Sequence, residues 1–466
     1  MSSGYWKPSD IGIDPSGYAD GQVPVFDDAA GLFVPGEGGG GLDTTVPPTV
    51  GDGQVISDVD TFPGFPALAV AANGDYVTIY RDGTSHTSTD GQLFLRRSTD
   101  RGATWTSRSV VFTGGGYDWR EGSLLTLSDG RMLFHGGRRN DDESGTTAGA
   151  FLSVSTDNGA TWSSPVTLPS AFSFGLRGGS PLIEDPLTGR IWTFQYGRNA
   201  SSDDNSVAAV YSDDGGSNWT VGATVADGPG TSRSWAEPGP VRLPSGRLVV
   251  VLREVIGASA ADRWVVLSDD DGDTWTAPVK VLDDASGWPR PILLDDGRLL
   301  DAFRDVDVTG LPHRLTLSHD GGETWERGDL FGPTGGIQSA YHQFAVDRTV
   351  GRAGVVYAYE SSGSSSDLWF ATAPVPTVPP HFHVKADILD LDAADPSPTA
   401  ADETVFAPDF TVDTTGGGFT VQLDVRWGVD GDGEPYYNAA GVTAGHEAVL
   451  VLKNTTGQFS LRPVEV

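Results

Sequence analysis

Between about residues 60 and 375 the chain alternates short apolar runs with turn residues, and the same unit keeps returning. The unit reads "FPALAVAANGDYVTIYR", "GSLLTLSDGRMLFHGGR", "SPLIEDPLTGRIWTFQYGR", "GPVRLPSGRLVVVLR" and "RPILLDDGRLLDAFR". Each copy is an apolar strand, a turn around glycine and a second apolar strand, the pattern of an antiparallel hairpin. Runs of helical periodicity are hard to find, so the pattern predicts an all-β protein.

A second phrase follows each hairpin: "STDRGATW" at 98, "STDNGATW" at 155, "SDDGGSNW" at 212, "SDDDGDTW" at 268 and "SHDGGETW" at 318, with starts 57, 57, 56 and 50 residues apart. A period near fifty in an all-β chain predicts a propeller with one four-stranded blade per repeat. A sixth hairpin, "YHQFAVDRTVGRAGVVYAYE", is followed by "DLWFATAP" without the phrase, so six blades are expected over residues 50–375. In the phrase, Asp100, Asp157, Asp214, Asp270 and Asp320 accept turn amides, glycine permits positive φ, and Trp105, Trp162, Trp219, Trp275 and Trp325 insert apolar bulk between sheets. Five blades hold five separated carboxylates, so these acids are read as structural.

The ends of the chain read differently. Residues 1–45 end in a flexible glycine run, "APVPTVPP" stiffens a linker over 376–382, and residues 383–466 alternate as strands of a small β-sandwich-like accessory domain.

Composition narrows the partners. A formal charge of −33 argues against nucleic acid as a partner, because phosphate binding needs a basic face, and lysine is scarce (Lys7, Lys280, Lys385, Lys453). The dispersed acids read as a solvated surface, and the preference for arginine over lysine suggests a GC-rich genome or a high-salt habitat. With no cysteine there is neither a disulfide nor a thiolate site. "MSSGYWKPSD" lacks the features of a signal peptide, and no stretch has the length and apolarity of a membrane-spanning helix. No cofactor is expected. Neither the His381/His383 pair nor "GVDGDGE" (Asp430, Asp432, Glu434) has complete metal-ligand spacing, so no metal is expected either.

The repeated phrase closely resembles the Asp-box, or BNR repeat, of the sialidase superfamily. That resemblance implies a six-bladed propeller and, by itself, no activity. In such enzymes the substrate carries a carboxylate at the carbon attacked, so a neutral tyrosine with a glutamate as its base replaces a carboxylate nucleophile. Three arginines grip the substrate carboxylate and an aspartate serves as acid/base.

Carried onto this sequence, the resemblance implies Tyr341 in "SAYHQFAVD" as nucleophile, with Glu360 ending "YAYE". Glu237 would be its base, with Arg253 and Arg314 as carboxylate contacts. Arg81 is a further candidate contact, and Asp90 is a better candidate than Asp82 for the acid/base. Arg253 also has a plainer reading, because Arg81, Arg138, Arg198 and Arg304 occupy the same repeat position. The family's first arginine is Gly64 here, a loss of charge-assisted hydrogen bonds worth about 1.5–3 kcal/mol.

"DGQVPVFDDAAGLFVPG" resembles short modules of tailed-virus fibre proteins. The expectation is therefore a virion tail receptor-binding protein, released by lysis, that recognises a host cell-surface glycan. Other tail proteins would be its partners, and a homo-oligomer such as a trimer is expected. An active exo-glycosidase is the alternative, and a fibre spacer a third.

Overall fold

The computed structural model describes residues 49–375, short loop segments excepted, together with several isolated strand pairs in the flanks, among them Gln22–Asp27 with Leu32–Glu37. The C-terminal domain, the His381/His383 pair and "GVDGDGE" lie outside the described residues. The described core is a six-bladed β-propeller, as the repeat predicts.

Blade 1 comprises Pro63–Val70, Tyr76–Asp82, Gln92–Ser98 and Ser109–Phe112, paired antiparallel in chain order. Blades 2 and 4 repeat it with Asp118–Thr126, Met132–Arg139, Ala150–Ser155 and Val166–Thr167, and with Trp235–Arg242, Leu248–Glu254, Arg263–Ser268 and Val279–Leu282. In blades 3 and 5 the first strand is broken in two, Phe174–Arg177 with Ile183–Glu184 and Ala285–Ser286 with Ile292–Leu293.

Blade 6 explains its own missing phrase. Its sheet contains Gln338–Asp347, Arg352–Ser362 and Ser365–Pro374, and its fourth strand is Gln54–Val55, from the opposite end of the propeller sequence. No hairpin links the third strand to the fourth there, so there is no turn for the phrase to build. The ring closes through pairing of Trp369 with Val55 and Phe370 with Gln54.

The core is a set of six seams between neighbouring blades. Ala67, Val77 and Ile79 of blade 1 pack with Met132, Phe134 and Phe151 of blade 2, and equivalent apolar clusters join each later pair round to Tyr76 and Tyr80 against Val356 and Phe370. Each phrase tryptophan enters the seam with the preceding blade: Trp105, Trp162, Trp219, Trp275 and Trp325. In the seam between blades 5 and 6, Val50 and Trp369 pack instead.

The phrase carboxylates do what a turn requires. Asp100 accepts the Thr104 amide at 2.8 Å and the Thr104 hydroxyl at 2.6 Å, while Ser98 Oγ takes the Gly102 amide at 2.7 Å. The same pattern recurs at Asp157, Asp270 and Asp320, and at Asp214 with Asn218 in place of threonine. Gly322 shows why the second glycine is fixed: its φ is +95°, and an added Cβ would lie 2.6 Å from Val249 of the preceding blade. A side chain there would be strained and would collide with the neighbouring sheet.

Two expectations follow. Trp325→Ala empties a closed seam and is expected to lower unfolding free energy by about 3–5 kcal/mol, read from urea denaturation. The hydrogen bonds of the turn, the Thr104 hydroxyl first, hold Asp100 at a pKa of about 2, and those at Asp157, with Thr161 first, do the same. At Asp214 the backbone amide of Asn218 leads, again to about 2. These folded values lie below the unfolded value near 3.9, so the stabilisation is present above about pH 4 and is lost as pH falls towards 2. Thermal midpoints between pH 5 and 2 should therefore fall less steeply in a variant with Asp100, Asp157 and Asp214 all changed to Asn.

Candidate functional site

The inner strands do not pair regularly. Register slips between Gly64 and Ala67, Arg120 and Gly122, Ala236 and Gly239, and Ser339 and His342, placing Phe65, Glu121, Glu237 and Tyr341 within bulges. Phe65, Glu121 and Glu237 have φ of 51°, 38° and 51°, in the left-handed region that side chains other than glycine seldom adopt. A bulge re-aims its side chain, and here four blades use one to point a residue toward a common centre. The broken first strand of blade 5 supplies Trp288 to the same place.

There the Tyr341 hydroxyl donates to Glu237 Oε1 at 2.9 Å, and Arg253 Nη1 donates to Glu237 Oε2 at 2.8 Å. Tyr341 stacks on Phe65 with ring centroids 4.8 Å apart and meets Trp288 edge-on at 6.2 Å. Trp288 is fixed in turn by donating Nε1 to Pro238 O at 3.1 Å. Burial, reinforced by the Glu237 charge, pushes the Tyr341 phenol well above its ordinary range, so it is neutral near pH 7. Glu237 raises Arg253 despite burial.

Arg304 occupies in blade 5 the place that Arg253 has in blade 4. Burial pulls its pKa down and the Arg253 charge adds to that, while Tyr341 where ionised, Glu237 and Glu360 oppose the shift. Arg304 is thus the second strand-end cation beside the tyrosine. Its signal lay in the repeat, where "DAFRD" aligns with "VVLRE", but a residue shared by most blades reads first as a repeat feature.

Arg120 is a cation beside Phe65, the residue that follows Gly64. Its guanidinium lies 4.6 Å from the Phe65 ring centroid, yet it is bound to Asp118 at 3.2 Å and Glu121 at 3.1 Å. Burial disfavours its charge, but Glu121 and Asp118 outweigh that and raise its pKa. Gly64 itself faces open space, with no heavy atom within 4 Å of an added Cβ.

Three of the candidates are held by contacts of their own. Arg314 donates Nε to Asp305 at 2.5 Å and Nη1 to Gly328 O at 2.9 Å, tying it to the strands on either side of it in its own blade. Arg81 is fully buried, with Nε on Asp118 at 2.9 Å and its other nitrogens on Ser85 O and Ser88 O, so it braces a loop. Asp90 is exposed at the end of that loop and accepts the Thr84 amide at 3.1 Å, and its neighbour candidate Asp82 binds the Phe62 amide and Arg108. The side chain the loop presents to Tyr341 is His86, with ring centroids 6.3 Å apart. Its Nδ1 lies 2.8 Å from Glu360 Oε1. Arg138 stacks over Tyr117 and Trp119. No cluster of three potential metal ligands occurs among the described residues.

With this geometry in hand, comparison with known proteins gives a consistent answer. The BNR repeat-like domain matches residues 124–286 and 189–352. The sialidase of Paraclostridium sordellii is 30% identical over 254 residues, 47% of this chain and 61% of the relative. That of Micromonospora viridifaciens is 27% identical over 323 residues, 60% of this chain and 48% of the relative. The chain therefore spans about half to three-fifths of the length of these two.

Among solved structures, a Dyadobacter fermentans protein of unknown function superposes with a TM-score of 0.61 at 21% identity, over 70% of this chain and 99% of that one. A Hadza microbial sialidase gives 0.57 at 17%, over 68% of each. A Penicillium chrysogenum alpha-L-arabinanase gives 0.54 at 16%, over 70% and 98%. At these identities the structures establish the fold alone. Together with the repeat domain and the sialidase relatives, they support a sialidase-like propeller.

Glu237 contributes to keeping the Tyr341 phenol protonated. Glu237→Gln should accordingly lower the pH at which Tyr341 ionises, measured by ultraviolet difference titration against Tyr341→Phe.

Proposed function

We propose that this sialidase-like propeller recognises a glycan in its central pocket and hydrolyses a terminal glycosidic bond with retention of configuration. The observation that carries this reading is the hydrogen bond from Tyr341 to Glu237, with Arg253 on the other carboxylate oxygen. Tyr341 Oη attacks the anomeric carbon as its proton passes to Glu237, and the electron pair of the breaking C–O bond leaves with the aglycone oxygen. A neutral nucleophile suits a substrate bearing a negative charge, because a carboxylate nucleophile would be repelled. Arg253 holds Glu237 in position, and with Arg304 it makes the electrostatic setting favour an anionic sugar.

A second reading, attachment without turnover, is favoured by Gly64. A binding-only pocket needs less grip on the carboxylate than a transition state does. In that reading the chain is a virion tail protein that adheres to a host cell-surface glycan, anchored through the segment resembling tail-fibre modules, with other tail proteins as partners. The hairpin of Gln22–Asp27 with Leu32–Glu37 in that segment is consistent with a small docking module.

Two measurements separate the readings. On a fluorogenic α-sialoside, Tyr341→Phe should reduce kcat/KM by ~10³-fold or more. Wild-type adhesion to glycan-coated surfaces without turnover would instead favour attachment. Gly64→Arg enters open space, and if the ligand carries a carboxylate it should tighten binding roughly ten- to a hundredfold, from about 1.5–3 kcal/mol of charge-assisted hydrogen bonding. Unchanged affinity in an intact Gly64→Arg protein would argue against an acidic sugar.

A further inference from the structure

The hydrolytic reading leaves one role without a residue. The departing oxygen needs a proton, and the water that later releases the sugar needs a base, while Asp90 and Asp82 are both engaged elsewhere. We propose that His86 is the general acid and base of this pocket and that Glu360 is its positioning residue; the proposal rests on the hydrolytic reading above.

Four observations converge on the pair. His86 is one-third exposed whereas Glu360 is buried, so the imidazole can meet a ligand while its partner cannot. Its Nδ1 lies 2.8 Å from Glu360 Oε1, which fixes the tautomer with the proton on Nδ1 and leaves exchange with a bound molecule to Nε2. The ring is 6.3 Å from the Tyr341 ring and 5.2 Å from Phe65, centroid to centroid. That spacing suits a group serving the leaving oxygen of the bond that Tyr341 attacks.

Finally, the loop is held in place. Arg81 binds Ser85 O and Ser88 O, Ser88 Oγ takes the Ser85 amide at 3.1 Å, and Arg120 Nη2 donates to His86 O at 3.4 Å. Pre-set geometry of this sort is what a proton-transfer group requires.

In the first step the glycosidic C–O bond breaks and its electron pair moves to the leaving oxygen, which takes the Nε2 proton of the His86 imidazolium and leaves the neutral ring with its proton on Nδ1. Meanwhile the bond from Tyr341 Oη to the anomeric carbon forms and the tyrosine proton goes to Glu237. In the second step His86 Nε2 removes a proton from water, the hydroxide oxygen bonds to the anomeric carbon, and the tyrosine oxygen leaves and recovers its proton from Glu237. Both groups return to their starting state, and no other reactant is consumed.

The test compares leaving groups. With sialyllactose, whose sugar alkoxide needs protonation, His86→Gln should lower kcat/KM by about 10²–10⁴-fold. With 4-methylumbelliferyl sialoside, whose phenolate leaves unaided, the fall should be at least tenfold smaller. An equal loss on both substrates, or none on either, overturns the role of His86 while leaving the hydrolytic reading standing. Absence of wild-type turnover on both overturns the two together.

Glu360→Gln supplies a readout that a packing role would not move. The groups facing His86 are Glu360, Tyr341, Arg120 through the backbone carbonyl, and the rings of Phe62 and Phe65. Without that carboxylate acceptor the ring loses its fixed orientation, so kcat on sialyllactose should fall about tenfold or more with KM little changed. An unchanged kcat overturns the positioning role of Glu360. Thermal midpoints near wild type confirm that each variant is folded.

Discussion

Near the place where the inner strands converge sits a guanidinium shielded from water. Arg290 donates to Gly122 O of blade 2 at 2.6 Å, to Gln343 of blade 6 at 2.7 Å and to Gly179 O of blade 3 at 3.4 Å, while its amide binds Asp301 of blade 5. Burial pulls its pKa down to about 10, still far enough above neutrality to keep the charge. A buried cation is costly unless acceptors offset its lost hydration, and here the acceptors of its terminal nitrogens come from separate blades while Nε has no hydrogen-bond partner. The positions of blades 2, 3, 5 and 6 about the axis are thereby coupled. Gln343 extends the tie by donating to Leu124 O at 3.2 Å, and Asp301 binds Arg263 and His342.

That rigid floor is what allows strain above it. Phe65, Glu121 and Glu237 hold a backbone conformation that costs about 1–3 kcal/mol each, and Tyr341 joins two of them, stacking on Phe65 and donating to Glu237. The cluster is built as a contest of charges. Arg253 and Glu237 neutralise each other, Arg120 is committed to Asp118 and Glu121, and Arg304 sits where burial disfavours its charge.

The fold was legible because the phrase with aspartate and tryptophan repeats with a nearly constant period, and periodicity survives without knowledge of contacts. Tyr341, Glu237 and Arg253 were legible through local context, "SAYHQFAVD" and "AEPGPV". What sequence could not show was orientation. Arg304 and Arg314 lie ten residues apart on neighbouring strands, and the choice between them depends on which carboxylate claims which guanidinium; Asp305 claims Arg314. His86 and Asp90 share one loop, and the turn bonds of Ser85 and Ser88 decide which faces the tyrosine. Trp288 arrives only because an inner strand is broken, and no repeat announces a break.

The closing strand bears on how the propeller is held by whatever it is attached to. Gln54–Val55 runs antiparallel to Ser365–Pro374, with the Gly51 amide on Thr372 O at 2.9 Å and the Ile56 amide on Leu368 O at 2.8 Å. The chain therefore enters and leaves the ring side by side, at the same end of one blade. A force drawing the two flanks apart would meet those hydrogen bonds one after another, as a zipper does, and not all at once as in shear. Tension on a tether at one flank alone would instead be borne by the whole seam packed around Ile56, Tyr76 and Phe370, so the ring would resist being towed far better than being pulled open.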